Sequence, residues 1–200
     1  MKLRILSLVA IVAVGFVLSW PVRAIGADVG VAREQAISHL SQLVDTYAIK
    51  LSTEERTDVL RVCRNLQATT IQTMSTDLPS LEQKYTQAVS NIDSTIKYTA
   101  NALNNMSEDS SSLDLAGVHL ARINEEFTAA VTIYSKALDE LLVIDCQVFP
   151  EHFVAGLEEA RFRRKLVLGS AESIVDFRDG ELSNAFQTTL DKLKDIEANR

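Results

Sequence analysis

The sequence is poor in residues that interrupt helices. It has three prolines and seven glycines among 200 residues, and the prolines beyond residue 24 are Pro79 and Pro150. Both residue types are costly inside a helix, so their scarcity favours long uninterrupted helices. No stretch shows the sustained apolar and polar alternation of a strand. We therefore predict an all-α protein.

The motifs of common catalytic and cofactor sites are also missing. There is no Cys-x-x-Cys, no Gly-x-Ser-x-Gly elbow and no glycine-rich phosphate loop. His39, His119 and His152 stand far apart, and none has the Glu-x-x-His or His-x-x-x-His spacing that directs two ligands from one helical face. We predict no catalytic residues, no metal ligands, no cofactor and no enzymatic activity. A metal or enzymatic site that is assembled only by helix packing stays open as an alternative.

The N-terminus has the order of a secretory signal peptide. Lys2 and Arg4 precede an uncharged apolar run over residues 5–20, which Pro21 and a stretch of small residues follow. We predict a signal peptide over residues 1–24, cleaved after Ala24 with Ala27 as second choice. The alternative is an uncleaved membrane anchor, since the run is only slightly shorter than the roughly 17 to 25 residues that span a bilayer. Membrane association is expected only in that case.

Removal of the leader makes the chain more acidic. Lys2, Arg4 and Arg23 leave with it, so the formal charge moves from -7 to -10, with 17 basic against 27 acidic residues. Such a charge repels nucleic acid, which we do not expect as a partner. The expected location is the periplasm, the cell envelope or the outside of the cell.

Apolar residues after the leader recur in steps of three and four, which is the period of one buried helical face. We predict five helices, over residues 29–50, about 52–74, 81–103, 113–145 and 150–197. The second of them begins at a capping box formed by Ser52 and Glu55. Ser75 to Pro79 is expected to cap and separate the second and third helices, and residues 104–112 to form a loop. Gly180 lies inside the last helix, which we expect to be continuous although a kink there stays open. The fold class is an elongated antiparallel bundle of four to five long helices with coiled-coil-like packing, forming a single domain over residues 25–200.

Two cysteines remain in the exported chain. An oxidising compartment favours a disulfide bond between Cys63 and Cys146. The bond closes a loop of 83 residues, which contributes about 4 to 5 kcal/mol to the free energy of unfolding in the chain-entropy model. Two buried free thiols are the alternative.

A basic cluster is the one dense charge feature, and it consists of Arg161, Arg163, Arg164 and Lys165. It is a candidate interaction patch for phosphate, lipid head groups or an acidic partner. The simpler interpretation is a solvated helix face, because Glu158 and Glu159 stand at pairing distances from Arg161 and Arg163.

Tyr47, Tyr85 and Tyr134 fall on the apolar stripes of three helices. They are candidates to line a ligand cavity, although core tyrosines with bonded hydroxyls are the commoner explanation.

Several segments of the chain resemble exported, uncharacterised helical proteins of small-genome bacteria. The resemblance spans residues 55–197 and rests on Arg61-Val62-Cys63, Asp145-Cys146, Phe149-Pro150-Glu151-x-Phe153 and Leu157-Glu158-Glu159-Ala160-Arg161. It supports the pairing of Cys63 with Cys146 and implies no activity.

Three functions remain after these exclusions. The first is a non-enzymatic interaction or structural module with a protein partner, and the second is a carrier of an apolar ligand or lipid between helices. The third is an enzyme or metal protein whose site is assembled only by helix packing. Helical bundles host many functions, so fold class does not choose among them. The periodicity also leaves the oligomeric state open.

Intact-mass analysis of the protein recovered from its export compartment tests the leader and the cysteines together. We expect the mass of a chain that begins at Ile25, and we expect the two cysteines to react with an alkylating reagent only after reduction. A full-length mass with two reactive thiols would contradict both predictions.

Overall fold

The computed structural model describes residues 25–198, with side chains from residue 30 onward. The predicted signal peptide, residues 1–24, lies outside the described residues. Six α-helices follow: α1 is Ile25–Thr46, α2 is Thr53–Gln72, α3 is Leu78–Asn105, α4 is Ser111–Val143, α5 is Pro150–Phe177 and α6 is Ser183–Ala198. The described part of the chain contains no strand, and none of its helices has the length and apolarity to cross a bilayer.

Two short π-helical turns join pairs of these helices into longer ones. Thr73–Asp77 links α2 to α3, and Arg178–Leu182 links α5 to α6. Residues 25–198 therefore form four long helices, as the predicted bundle requires. The last helix is continuous through Gly180, which lies inside the second π-helical turn.

The predicted cap between the second and third helices is wrong. Asp77 makes no side-chain cap hydrogen bond, and the backbone stays helical from Gln72 to Leu78. The amide of Leu78 donates to the carbonyl of Thr73, five residues back. Pro79 has no amide proton and cannot join the regular ladder, so the wider π-helical turn lets the helix pass it without a break.

Two helix ends have left-handed residues that are not glycine. The φ angles are 50° at Ala48 and 62° at Ser107. At the end of α1, Ile49 donates to Val44 and Ala48 donates to Asp45, which is the pattern of a Schellman motif. This motif ends α1 at Thr46 rather than at residue 50. At the start of α2, the predicted capping box of Ser52 and Glu55 is confirmed.

Helix α4 lies at the centre of the bundle and contacts all five other helices. Its buried positions recur in steps of three and four over its whole length, and they include Leu113, Ala116, Leu120, Ile123, Phe127, Val131, Tyr134, Leu138 and Leu141. This spacing averages about 3.5 residues, which keeps one apolar seam against the neighbouring helices. The stacked rings of Tyr85 and Phe127, with centroids 3.6 Å apart, lie in this seam.

The chain direction follows from contacts between the helices. Tyr85 contacts the carbonyl of Ile123, and Ile96 lies against Gly117, so α3 and α4 run in opposite directions. The short connection through residues 144–149 reverses the chain again into α5. Helix α4 is therefore antiparallel to both α3 and α5.

The disulfide between Cys63 and Cys146 is present, with the two Cα atoms 6.5 Å apart. It joins α2 to the segment just after α4. Nearby, the side-chain amide of Gln67 donates to the carbonyls of Leu141 and Ile144 at 3.1 Å. The C-terminal end of α4 is therefore held against α2 both by the disulfide and by these hydrogen bonds.

Gly156 allows α1, α4 and α5 to pack closely. A Cβ atom there would lie 2.8 Å from a methyl carbon of Leu141 and 3.4 Å from one of Leu40, and both leucines are fully buried. Because 2.8 Å is shorter than a van der Waals contact and both leucines are fully buried, an added methyl group overpacks this junction.

Replacing Gly156 by Ala is expected to lower the free energy of unfolding by about 1 to 3 kcal/mol despite the better helix propensity of alanine. The matched control is Gly169→Ala, where nothing lies within 4 Å of the new methyl group. That change is expected to raise stability by about 0.4 to 1 kcal/mol. Urea unfolding measures both values, and equal effects of the two substitutions would contradict the packing at Gly156.

Candidate functional site

The most polar interior of the bundle lies where α1 packs on α4 and α5. Nδ1 of His39 lies 2.7 Å from the Glu140 carboxylate, and the Tyr47 hydroxyl donates to the Glu159 carboxylate at 2.8 Å. The second oxygen of Glu159 accepts from Nε of Arg163 at 2.6 Å. Both glutamates are buried, and each bond satisfies an oxygen that would otherwise be costly to bury.

Tyr47 is not a core tyrosine, which corrects its predicted place on the apolar stripe. Its side chain is 41% exposed, and the Schellman motif turns it out of the apolar face of α1. The hydrogen bond to Glu159 raises the pKa of Tyr47, so the phenol remains a donor at neutral pH.

Ser41 and His152 form a second bridge between α1 and α5. Oγ of Ser41 donates to the carbonyl of Ile37 at 2.8 Å and also lies 2.8 Å from Nε2 of His152. A hydroxyl has one proton, so His152 must donate to Ser41. The reverse direction is needed to activate a serine nucleophile. The Nδ1 atom of His152 is buried and has no hydrogen-bond partner within the described residues, so the ring lacks the second hydrogen bond that a triad histidine makes to its carboxylate.

His119 joins α4 to the second π-helical turn. Its Nδ1 atom bonds to Glu181, and Nη2 of Arg122 donates to its Nε2 atom at 2.6 Å. Phe177 contacts the ring edge-on. All three histidines therefore lie between helices, a role that their sequence spacing does not reveal. Over residues 25–198, no group of three or more His, Cys, Asp or Glu side chains is arranged to hold a metal ion.

The basic cluster of α5 is divided among three sides of the helix. Arg163 bonds to Glu159 beneath α1, and Arg164 lines a groove against α2 and α3. Arg161 and Lys165 point outward, and Arg161 pairs with Glu158. Successive helical residues are rotated by about 100°, so five consecutive positions cannot form one face. Both ion pairs that the spacing predicts are present.

The groove at Arg164 has a volume of about 360 Å³ and lies between the first π-helical turn, α4 and α5. Its lining combines apolar side chains with a few polar ones, namely Thr69, Thr73, Asp77, Leu78, Leu81, Tyr134, Arg164, Val167 and Leu168. Tyr134 is the one predicted cavity tyrosine that lines it. Tyr85 instead lies in the core, where its hydroxyl donates to the carbonyl of Ile123 at 3.3 Å.

The sequence does not predict this groove. The sequence pattern indicates a boundary between two helices at Asp77 and Pro79, and such a boundary gives no cause to place Asp77 beside Tyr134. The available signal is a proline in a segment whose apolar period continues on both sides of it.

Comparisons with protein-family models, curated proteins and solved structures found no match to this chain.

Replacing Ser41 by Ala removes the acceptor of His152 and leaves both ring nitrogens unpaired. We expect a loss of about 1 to 3 kcal/mol in the free energy of unfolding. The double variant Ser41→Ala with His152→Phe should lose less than the sum of the two single variants, because it removes both polar partners.

The control is Thr46→Ala, which removes a similar hydroxyl-to-carbonyl bond on the exposed side of α1. It should change stability by no more than about 0.5 kcal/mol. Strict additivity of the Ser41 and His152 substitutions would show that the bridge contributes nothing.

Proposed function

We propose that the chain is exported and acts without catalysis as a protein-interaction or structural module in the cell envelope or outside the cell. The disulfide between Cys63 and Cys146 supports the location, because such bonds persist in oxidising compartments and are rare in the cytosol. The continuous helices and the clamp on α4 support a rigid module.

The observation that carries this proposal is the α5 outer face, which consists of Arg161, Phe162, Lys165 and Leu166. All four side chains are exposed. Residues four apart are neighbours on a helix, so a basic pair lies beside an apolar pair. Gly169 follows on the same side, and no heavy atom lies within 4 Å of the position that its Cβ would take. A partner can approach the helix backbone closely there.

The charges of this face favour a partner with acidic and apolar side chains. The chain without its leader carries a formal charge of -10, so a basic and apolar face contrasts with the rest of the molecule. Lys165 makes no ion pair within the described residues, which leaves it available to a partner. Aromatic and arginine side chains are the residues that contribute most at interfaces.

Photo-crosslinking in the producing cells tests the α5 outer face. A photoreactive phenylalanine at Phe162 is expected to give one dominant crosslinked species, which disappears when Arg161 and Lys165 are replaced by Glu. The matched control is the same group at Val175, which is on the same helix with 45% exposure against 49% for Phe162. It should not give that species.

Identical crosslinks from both positions, or none from Phe162, would refute this face as the interaction surface. Because all substituted residues are exposed, each variant should keep the stability of the parent within about 0.5 kcal/mol. Thermal unfolding checks that requirement.

A further inference from the structure

The groove beside the first π-helical turn has an unpartnered donor. Tyr134 is only 7% exposed, and its hydroxyl makes no hydrogen bond with the residues that the structure describes. Burial raises the pKa of Tyr134, so the phenol stays protonated at neutral pH. The hydroxyl oxygen itself is reached by solvent from the groove, so it can donate a hydrogen bond to a ligand there.

Two opposite charges lie near that hydroxyl without pairing with each other. Arg164 lowers the pKa of Tyr134 and Asp77 raises it, although burial has the larger effect, so both charges act on the phenol. In the described part of the chain, neither Arg164 nor Asp77 forms an ion pair. A groove that keeps a cation and an anion apart matches a ligand that carries both charges.

Apart from Thr69 and Thr73, the rest of the lining is apolar. Leu78 and Val167 form its buried part, while Leu81 and Leu168 lie nearer to solvent. The volume is within the roughly 300 to 1,000 Å³ that is typical of small-molecule sites. The π-helical turn contributes Thr73 and Asp77 to the wall, and such turns occur frequently at functional sites.

We propose that this groove binds a small zwitterionic amphiphile. Its anionic group accepts hydrogen bonds from Arg164 and Tyr134, its cationic group lies beside Asp77, and its apolar part contacts the leucines. Two sources have this chemistry, namely a free apolar amino acid and a single-chain lipid with a phosphocholine head group. The site is separate from the α5 outer face, so either proposal can fail without the other.

Calorimetric titration of the full exported protein, with its disulfide intact, tests the charge pattern. The probes are decylphosphocholine, decanoate and decyltrimethylammonium, all below their micelle-forming concentrations. Decanoate cannot make the contact with Asp77, and decyltrimethylammonium cannot make the contact with Arg164. The zwitterion should therefore bind at least about tenfold more tightly than either of them.

Variants locate the binding. Arg164→Gln and Asp77→Asn should each weaken decylphosphocholine binding about tenfold, and Tyr134→Phe should weaken it several-fold. Asp77→Asn should also narrow the preference for decylphosphocholine over decanoate. Arg161→Gln is the matched control, because it removes the same charge from the same helix outside the groove, and it should leave the affinity unchanged.

L-leucine and L-phenylalanine separate the two sources. Binding of either amino acid with the same dependence on Arg164 and Asp77 would identify the amino-acid class, and binding of decylphosphocholine alone would identify the lipid head group. Absence of binding by every zwitterion, equal binding of the three decyl probes, or equal effects of Arg164→Gln and Arg161→Gln would overturn the proposal.

Discussion

The apolar seam of α4 is the contact on which the rest of the structure depends. Every other helix touches α4, and its buried positions extend without interruption from Leu113 to Leu141. Isolated helices gain little stability from propensity alone, so burial against this seam is what makes the long helices stable. The disulfide and Gln67 hold the C-terminal end of α4, where the helix would otherwise leave its last carbonyls exposed or unpaired.

Polar bridges set the position of α1 on this apolar frame. Apolar contacts are not directional and allow a helix to slide, whereas His39, Ser41 and Tyr47 each bond to a defined side chain on another helix. The absence of a side chain at Gly156 sets how closely α1 approaches, and the bridges set its rotation and its position along α5. The histidines of this bundle are therefore parts of its packing.

The two proposed surfaces arise from the regular rotation of side chains around α5 and from the first π-helical turn. The basic cluster of α5 is continuous in sequence, yet helical rotation sends Arg163 to α1, Arg164 to the groove, and Arg161 with Lys165 to solvent. The groove itself depends on the π-helical turn that Pro79 imposes, because that turn contributes Asp77 to a wall opposite Arg164. One short run of basic residues thus takes part in packing, in the proposed ligand site and in the proposed interaction face.

The sequence by itself determined the helical class, the capping box at Ser52 and the apolar stripe of α4, because these follow from local periodicity and local hydrogen bonding. It predicted the pairing of Cys63 with Cys146 but left two free thiols open, since only the packing of α2 against the end of α4 brings the two residues together. It did not reveal the end of α1, since Ala48 occupies a left-handed position where glycine is the usual signal. The tertiary structure alone decided that Tyr47 is exposed, that Tyr134 faces a groove, and that Asp77 and Arg164 share it. Such contacts join residues far apart in the chain, and their geometry is set by how whole helices pack rather than by any local pattern.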